Sequence, residues 1–139
     1  MGLVLRRSIL TQFATLVPIL AAGKQASIRG RLKLASAGVP VLALSDAQQI
    51  ALRGDESTMG VLLDPRVRDM DFELIGTPTA MGAFEVGPIH TKAMYVHKGG
   101  QKLFVTYWCD ICSIRTYTPG ACWCCQEDTE LDLRDRYDN

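Results

Sequence analysis

The stretch SIRGRLKL, residues 27–34, decides the fold class of this chain. Its apolar residues Ile28, Leu32 and Leu34 lie two or four positions apart, with basic residues between them: Arg29, Arg31 and Lys33. An alternation of period two places one set of side chains on each face of a pleated strand. The pattern therefore predicts a half-buried β-strand rather than a helix.

Segments of the same kind recur along the chain. Residues 39–44 and 49–52 are short apolar runs joined through a Ser45-Asp46 turn, and with residues 27–34 they predict a first meander. Further along, the sequence predicts four more strands, at 72–75, 83–86, 93–97 and 102–108. The last two are linked by Gly99-Gly100, a dipeptide suited to the positive φ angles of a tight hairpin.

One short helix interrupts the strands. The segment Gly54-Asp55-Glu56-Ser57-Thr58 offers a helix cap, and the helix runs to about Leu63. It ends before Asp64-Pro65, because the residue before proline avoids the helical region. The order of elements predicts a mainly β fold: a small OB-like barrel or meander with one short helix and a C-terminal cysteine-rich hairpin. We expect the barrel-like body to span residues 24–108.

Length and charge limit the possible functions. The chain has 139 residues, 47% of them hydrophobic, which is enough for one domain with a real core. Fifteen basic residues balance fifteen acidic ones, so the whole chain has no bulk attraction for nucleic acid or an anionic membrane. Six of the acidic residues lie from Glu127 onward, and we expect residues 127–139 to form an acidic, solvated tail.

All five cysteines lie in the segment 109–126. Four of them form two C-x-x-C pairs: Cys109, Cys112, Cys122 and Cys125. This spacing lets both thiolates of a tight turn face one metal ion, and two such turns can close a tetrahedral cage. The sequence therefore predicts a cysteine-rich metal-binding hairpin. Cys124 is the spare thiol, which points away from the site or replaces Cys122 as a ligand.

This layout resembles zinc-ribbon and rubredoxin-type sites. It departs from them in the nine residues between the pairs, and in Ser113 and Gln126, where such turns often place glycine. Residues 107–112 together with 122–127 also resemble a segment of small exported bacterial proteins, and that resemblance implies no activity.

Four interpretations of the cysteines compete. A structural zinc ion needs only four soft ligands and would fasten the C-terminal segment to the barrel, so it ranks first. Two disulfides with one cysteine left over are the default for an exported chain. An iron or iron–sulfur centre for electron transfer uses the same thiolates. Thiol–disulfide exchange by Cys109 and Cys112 ranks last, because the pair follows a strand rather than opening a helix.

The N-terminal residues 1–23 have the layout of an export signal, with Arg6-Arg7 followed by a short apolar run. The segment LRRSILT, residues 5–11, resembles the twin-arginine signal family. That resemblance implies export of a chain that has already folded around its cofactor. The exported protein would be periplasmic or anchored in the membrane. The alternatives are a buried N-terminal helix and a cytoplasmic protein, and basic residues after the apolar run argue against export.

Other residues qualify as weaker candidates. Trp108 and Trp123 flank the cysteine turns and are expected to form a hydrophobic wall around the sulfurs, with partner docking as the alternative. His90 and His97 could complete a metal site, although loop positions explain both. Since no nucleophile–base pair or phosphate-binding loop stands out, we expect an accessory or binding module with a protein partner, not an enzyme. The basic face of residues 27–34 lacks interleaved aromatic residues, so we expect no nucleic-acid partner.

Overall fold

The computed structural model describes residues 21–136. The predicted export signal lies outside these residues, apart from its last three positions. The described part of the chain is mainly β, as predicted, with one α-helix, α1 (Glu56–Leu62), and two short 3₁₀ turns, Pro65–Val67 and Ile89–Thr91. Its strands are β1 (Ala26–Leu34), β2 (Pro40–Ser45), β3 (Gln48–Arg53), β4 (Asp71–Pro78), β5 (Phe84–Val86), β6 (Met94–Lys98), β7 (Gln101–Cys109), β8 (Ile114–Thr116) and β9 (Glu130–Arg134).

The first five strands close into a barrel. Strand β1 pairs with β4 through its first half and with β2 through its second, and both pairings are antiparallel. Strand β3 pairs with β2 on one side and, in parallel, with β5 on the other, and β5 returns to β4. The ring β1-β2-β3-β5-β4, with a helix between β3 and β4, confirms the predicted OB-like barrel.

Two glycines allow the barrel to close. Gly30 lies in β1 near the point where that strand changes partner, and a Cβ atom there would stand 2.3 Å from the carbonyl oxygen of Ala43. Gly76 has the same role in β4, where a Cβ atom would stand 2.0 Å from the carbonyl oxygen of Glu85. No side chain fits at either position, so the close approach of the strands requires glycine.

The barrel interior is filled by one apolar cluster that includes Leu32, Leu42, Phe72 and Phe84, all with no exposed surface. Helix α1 covers one side of it with Val61 and Leu62. The helix begins where expected, because the Asp55 carboxylate accepts a hydrogen bond of 2.8 Å from the backbone N–H of Thr58. Among the members of this cluster Tyr107 is the last along the chain, and it is fully buried.

A second layer of pairing extends the barrel sheet. Strand β6 pairs with β4, and the β6–β7 hairpin turns at Gly99 and Gly100, which have φ values of 60° and 79° as the sequence predicted. Strand β7 then carries β6 and β8 along one edge and β9 along the other. The long β7 strand is therefore the element that joins the barrel to the cysteine-rich segment.

The expected solvated tail is wrong for residues Glu130–Arg134, which form β9. They pair with β7 in a register that sets Val105 opposite Leu133. Leu131 and Leu133 pack against the apolar cluster, and the acidic residues between and around them face outward or form ion pairs. Leu131 and Leu133 alternate with acidic residues, and the high acidic content of the segment hid this strand pattern.

Candidate metal centre

The first cysteine turn is built at the end of β7. Cys109 is the last residue of this strand and pairs with Ile114, the first residue of β8. Between them the chain makes one tight loop, in which the backbone N–H of Ser113 donates a 2.8 Å hydrogen bond to the carbonyl oxygen of Cys109. Ser113 has a φ of 54°, in the left-handed region that favours glycine. The strand pairing and this bond together fix the direction of the Cys109 and Cys112 side chains.

The second turn repeats this geometry. The backbone N–H of Cys122 donates to the carbonyl oxygen of Glu127 at 2.7 Å, next to an antiparallel bridge between Ala121 and Asp128. Within the loop, the N–H of Gln126 donates to the carbonyl oxygen of Cys122 at 2.8 Å, and Gln126 has a φ of 70°. Ser113 and Gln126 thus occupy equivalent left-handed positions. These are the two positions where the resemblance to known cysteine turns called for glycine.

The two turns face each other and bring four thiols together. The sulfur atoms of Cys109, Cys112, Cys122 and Cys125 all lie within 4.8 Å of one another. The Sγ atoms of Cys109 and Cys125 are 3.6 Å apart. A tetrahedron of sulfurs around a zinc ion with Zn–S bonds of about 2.3 Å has edges of about 3.8 Å, whereas a disulfide requires about 2.05 Å. The described geometry fits four ligands that share one ion.

Backbone N–H groups point at the sulfurs. The N–H of Cys112 donates to Cys109 Sγ, and the N–H of Cys124 donates to Cys122 Sγ, each at 3.4 Å. Hydrogen bonds from the backbone of Cys125 and Cys124 lower the pKa of Cys122 to about 7. Donors aimed at a thiol favour its thiolate form, which is the form that binds a metal.

Burial divides the four sulfurs into two pairs. Cys109 and Cys122, the first cysteine of each turn, are only 2% and 1% exposed, whereas Cys112 and Cys125 are half-buried. Cys124 is exposed and does not belong to the group of four. Its thiol interacts with that of Cys112, and this contact is the largest of those that raise the Cys112 pKa. The geometry therefore gives Cys124 no place as a ligand in the described arrangement.

The predicted hydrophobic wall of tryptophans is not found. Trp123 is 73% exposed. Trp108 is half-buried, donates from Nε1 to the Asp110 carboxylate at 2.8 Å, and lies under the guanidinium of Arg115, whose carbon is 4.8 Å from the ring centroid. Successive residues of a strand point to opposite faces, so Trp108 faces away from the side that carries Cys109.

Neither histidine contributes to the cluster of four thiols. The His97 ring lies 2.7 Å from the Glu73 carboxylate on the outer face of the sheet, and this contact lowers the pKa of Glu73. His90 lies in the 3₁₀ turn Ile89–Thr91. The basic face of β1 is largely neutralised, because Arg29 and Lys33 form ion pairs with Asp71 and Asp69.

A polar network around the buried Asp64, beside the cysteine turns, was not predicted from the sequence. The Tyr107 hydroxyl donates to the Asp64 carboxylate at 2.7 Å, and the Arg66 guanidinium binds the same carboxylate at 3.1 Å. Arg66 also donates to the carbonyl oxygen of Thr129 at 2.9 Å, and the Thr129 hydroxyl donates to that of Gly120 at 2.8 Å. Burial alone would raise the Asp64 pKa, but the bonds from Arg66 and Tyr107 hold it below its ordinary value. This network fastens the cysteine-rich segment to the barrel.

The described residues contain no helix that is long and apolar enough to cross a membrane. Searches of protein-family models, curated proteins and solved structures give no match to this chain, so the four-thiol geometry is the basis for any functional conclusion.

Proposed function

We propose that this chain is a small exported metal-binding protein in which four cysteines hold a structural zinc ion, and that it acts as an accessory or binding module. The observation that carries the proposal is the convergence of two turns of the same geometry, which places four thiols within 4.8 Å of one another. The ligands are Cys109, Cys112, Cys122 and Cys125.

A structural ion explains how the cysteine-rich segment holds its shape. Among the described residues, none between Cys109 and Glu130 belongs to the apolar cluster of the barrel. A segment of this length without a core needs another source of folding free energy, and metal ligation supplies it directly. Four protein ligands also leave no open coordination position, which is the arrangement of structural rather than catalytic zinc.

Two features of the site favour a second candidate, an electron-transfer protein with an iron or iron–sulfur centre. Backbone N–H groups donate to Cys109 and Cys122, and hydrogen bonds to sulfur tune the reduction potential of iron centres. Cys112 and Cys125 are half-buried, so one side of the centre lies near the surface. Electron transfer to a partner requires such proximity.

Elemental analysis of protein produced without added metal, combined with an absorption spectrum, tests the proposal. We expect one zinc ion per chain and no visible absorption. Iron with charge-transfer bands in the visible range would support the electron-transfer protein instead. A free-thiol count of about one in denatured, unreduced protein would show that the cysteines form two disulfides, and would overturn both metal interpretations.

Export rests on the N-terminal segment alone. The pair Arg6-Arg7 and the apolar run that follows support the twin-arginine route, in which the chain folds and binds its metal before it meets an oxidising compartment. Replacement of Arg6-Arg7 by Lys-Lys should block export. Undiminished secretion of that variant would reject the route, and zinc content measured on the cytoplasmic fraction tests the metal site separately.

A further inference from the structure

The tips of the two cysteine turns expose large apolar side chains. Ile111 is 68% exposed and Trp123 is 73% exposed. Ile111 precedes Cys112 and Trp123 precedes Cys124, and the thiols of Cys112 and Cys124 contact each other. The two apolar residues therefore lie on adjoining parts of the two cysteine turns. We use the term knuckle face for three exposed residues of these turns: Ile111, Trp123 and Cys124.

The segment that carries the knuckle face is acidic. The exposed charged residues of this segment are all carboxylates: Asp110, Glu127, Asp128 and Glu130. Between Cys109 and Glu130 the sequence contains a single basic residue, Arg115. Its guanidinium is engaged with Asp132 at 2.7 Å, and its side chain is only 11% exposed. The exposed charges that the segment itself presents are thus all negative, and the exposed Arg66 of the barrel body lies near one of them, Asp128.

The position of Trp123 is typical of a binding anchor. A tryptophan buries a large area at a low cost in side-chain entropy, and such residues dominate the energy of protein interfaces. The backbone of its turn is fixed by the bonds from Cys122 to Glu127 and from Gln126 to Cys122. A side chain presented on a fixed backbone loses little freedom on binding, so the surface is preorganised.

We propose that the knuckle face docks a protein partner whose surface has an apolar pocket bordered by lysine or arginine. This inference rests on the proposed function, because the metal ion holds the two turns together and so creates the face. Opposite charge at the border would steer the partner and fix its orientation, while burial of Trp123 and Ile111 would supply most of the affinity.

Photo-cross-linking of the full chain in the cells that produce it tests the proposal. The cross-linker p-benzoylphenylalanine replaces Ile111 in one variant and Met81, an apolar residue 88% exposed on the β4–β5 turn, in a control. We expect one discrete protein adduct from position 111, identified by mass spectrometry as having a basic-bordered apolar surface, and none from position 81. Adding Trp123→Ala should reduce the yield at least tenfold, as should salt of about 1 M in a lysate, where screening shortens the reach of charge to about 3 Å.

Several outcomes would overturn the docking site. These are an equal yield from positions 111 and 81, an adduct of two copies of this chain, a lipid adduct, no adduct at all, or a yield unaffected by Trp123→Ala or by salt. Zinc content is measured on the same samples. One zinc per chain without an adduct would reject only the docking site, whereas absence of metal would reject the proposed function as well.

Discussion

The barrel and the cysteine-rich segment are stabilised in different ways. Strands β1 to β5 close around an apolar cluster in which Leu32, Leu42, Phe72 and Phe84 are fully buried. Residues 109–130 contribute no side chain to that cluster. They are held instead by backbone hydrogen bonds within two tight turns and by the four thiols between them.

If the proposed metal is bound, this short chain contains two separate sources of folding free energy. The barrel relies on hydrophobic burial, which is spread over many residues. The loss of one core side chain therefore removes only part of the stabilising free energy. Under the proposed function, the cysteine-rich segment depends on one ion and its four sulfur ligands, so the loss of a single sulfur would remove the whole contribution. The polar network of Tyr107, Asp64 and Arg66 joins the two regions.

The largest effect should come from Cys109→Ser. This variant removes a buried ligand, and a structural zinc site contributes binding free energy on the order of 10 kcal/mol. We expect loss of zinc and fast hydrogen exchange confined to residues 109–130, with the barrel strands still protected. Hydrogen-exchange mass spectrometry and metal analysis measure both quantities. The matched control is Cys124→Ser, which should keep zinc and protection; collapse of the barrel in the Cys109 variant would show that the two regions are not independent.

Phe72→Ala tests the other side of the comparison. Phe72 is fully buried in β4 between β1 and β6, and truncation of a core phenylalanine costs about 3–5 kcal/mol. We expect the midpoint of denaturant unfolding to fall while the folded protein retains one zinc per chain. If instead the folded variant loses zinc at neutral pH, the cysteine turns depend on the barrel core more than the structure indicates.

Tyr107→Phe should have a smaller effect, at the joint between the regions. It removes the hydroxyl donor to the buried Asp64 carboxylate, which costs about 1–3 kcal/mol. Since that bond helps to hold the Asp64 pKa below its ordinary value, its stabilisation is complete above about pH 4 and is lost as pH falls through the folded-state pKa. Chemical denaturation of the wild type and the variant at pH 7 and near pH 3 should show a smaller difference in stability between the two proteins at the lower pH. If the difference in the free energy of unfolding is the same at both pH values, the effect of Tyr107→Phe does not depend on ionisation of Asp64, and the prediction is wrong.

The smallest expected effect is an increase in the free energy of unfolding, caused by Gln126→Gly. Gln126 has a φ of 70°, a left-handed conformation that costs a side-chain-bearing residue about 1–2 kcal/mol. Gln126→Gly should relieve this cost and, after the greater entropy of the unfolded chain is deducted, raise the free energy of unfolding by about 0.5–1 kcal/mol. Unfolding of the zinc-loaded protein and competition with a chelator measure the gain. Gln126→Ala is the control, because it removes the same side chain but keeps the Cβ atom; an equal gain from alanine would contradict the conformational explanation.

Much of the fold could be predicted from local pattern. The alternation in residues 27–34, the Asp55 cap and the Gly99-Gly100 turn all have counterparts in the structure. These features depend on interactions between residues close in sequence, so the sequence records them directly. Strand β9 was missed because Leu131 and Leu133 were hidden among acidic residues, and their alternation has meaning only beside the edge of β7.

The candidate site shows the same division. The C-x-x-C spacing was enough to name the four thiols that cluster, because each pair belongs to one turn whose geometry is local. The environment of the site was not predictable in this way. Trp123 is exposed and forms no wall, and Arg66 contacts Thr129 of the segment from 63 residues away along the chain. Contacts at such separation leave no periodic trace in the sequence.

The strand pattern, the one helix and the grouping of the four thiols follow from the sequence, since each is set by neighbours within a few residues. The strand edge that receives the C-terminal residues, the charges that are buried and the side chains that remain in solvent follow from the folded structure. The physical reason is that burial and strand pairing depend on what lies across a gap in space. That neighbour is known only once the barrel has closed.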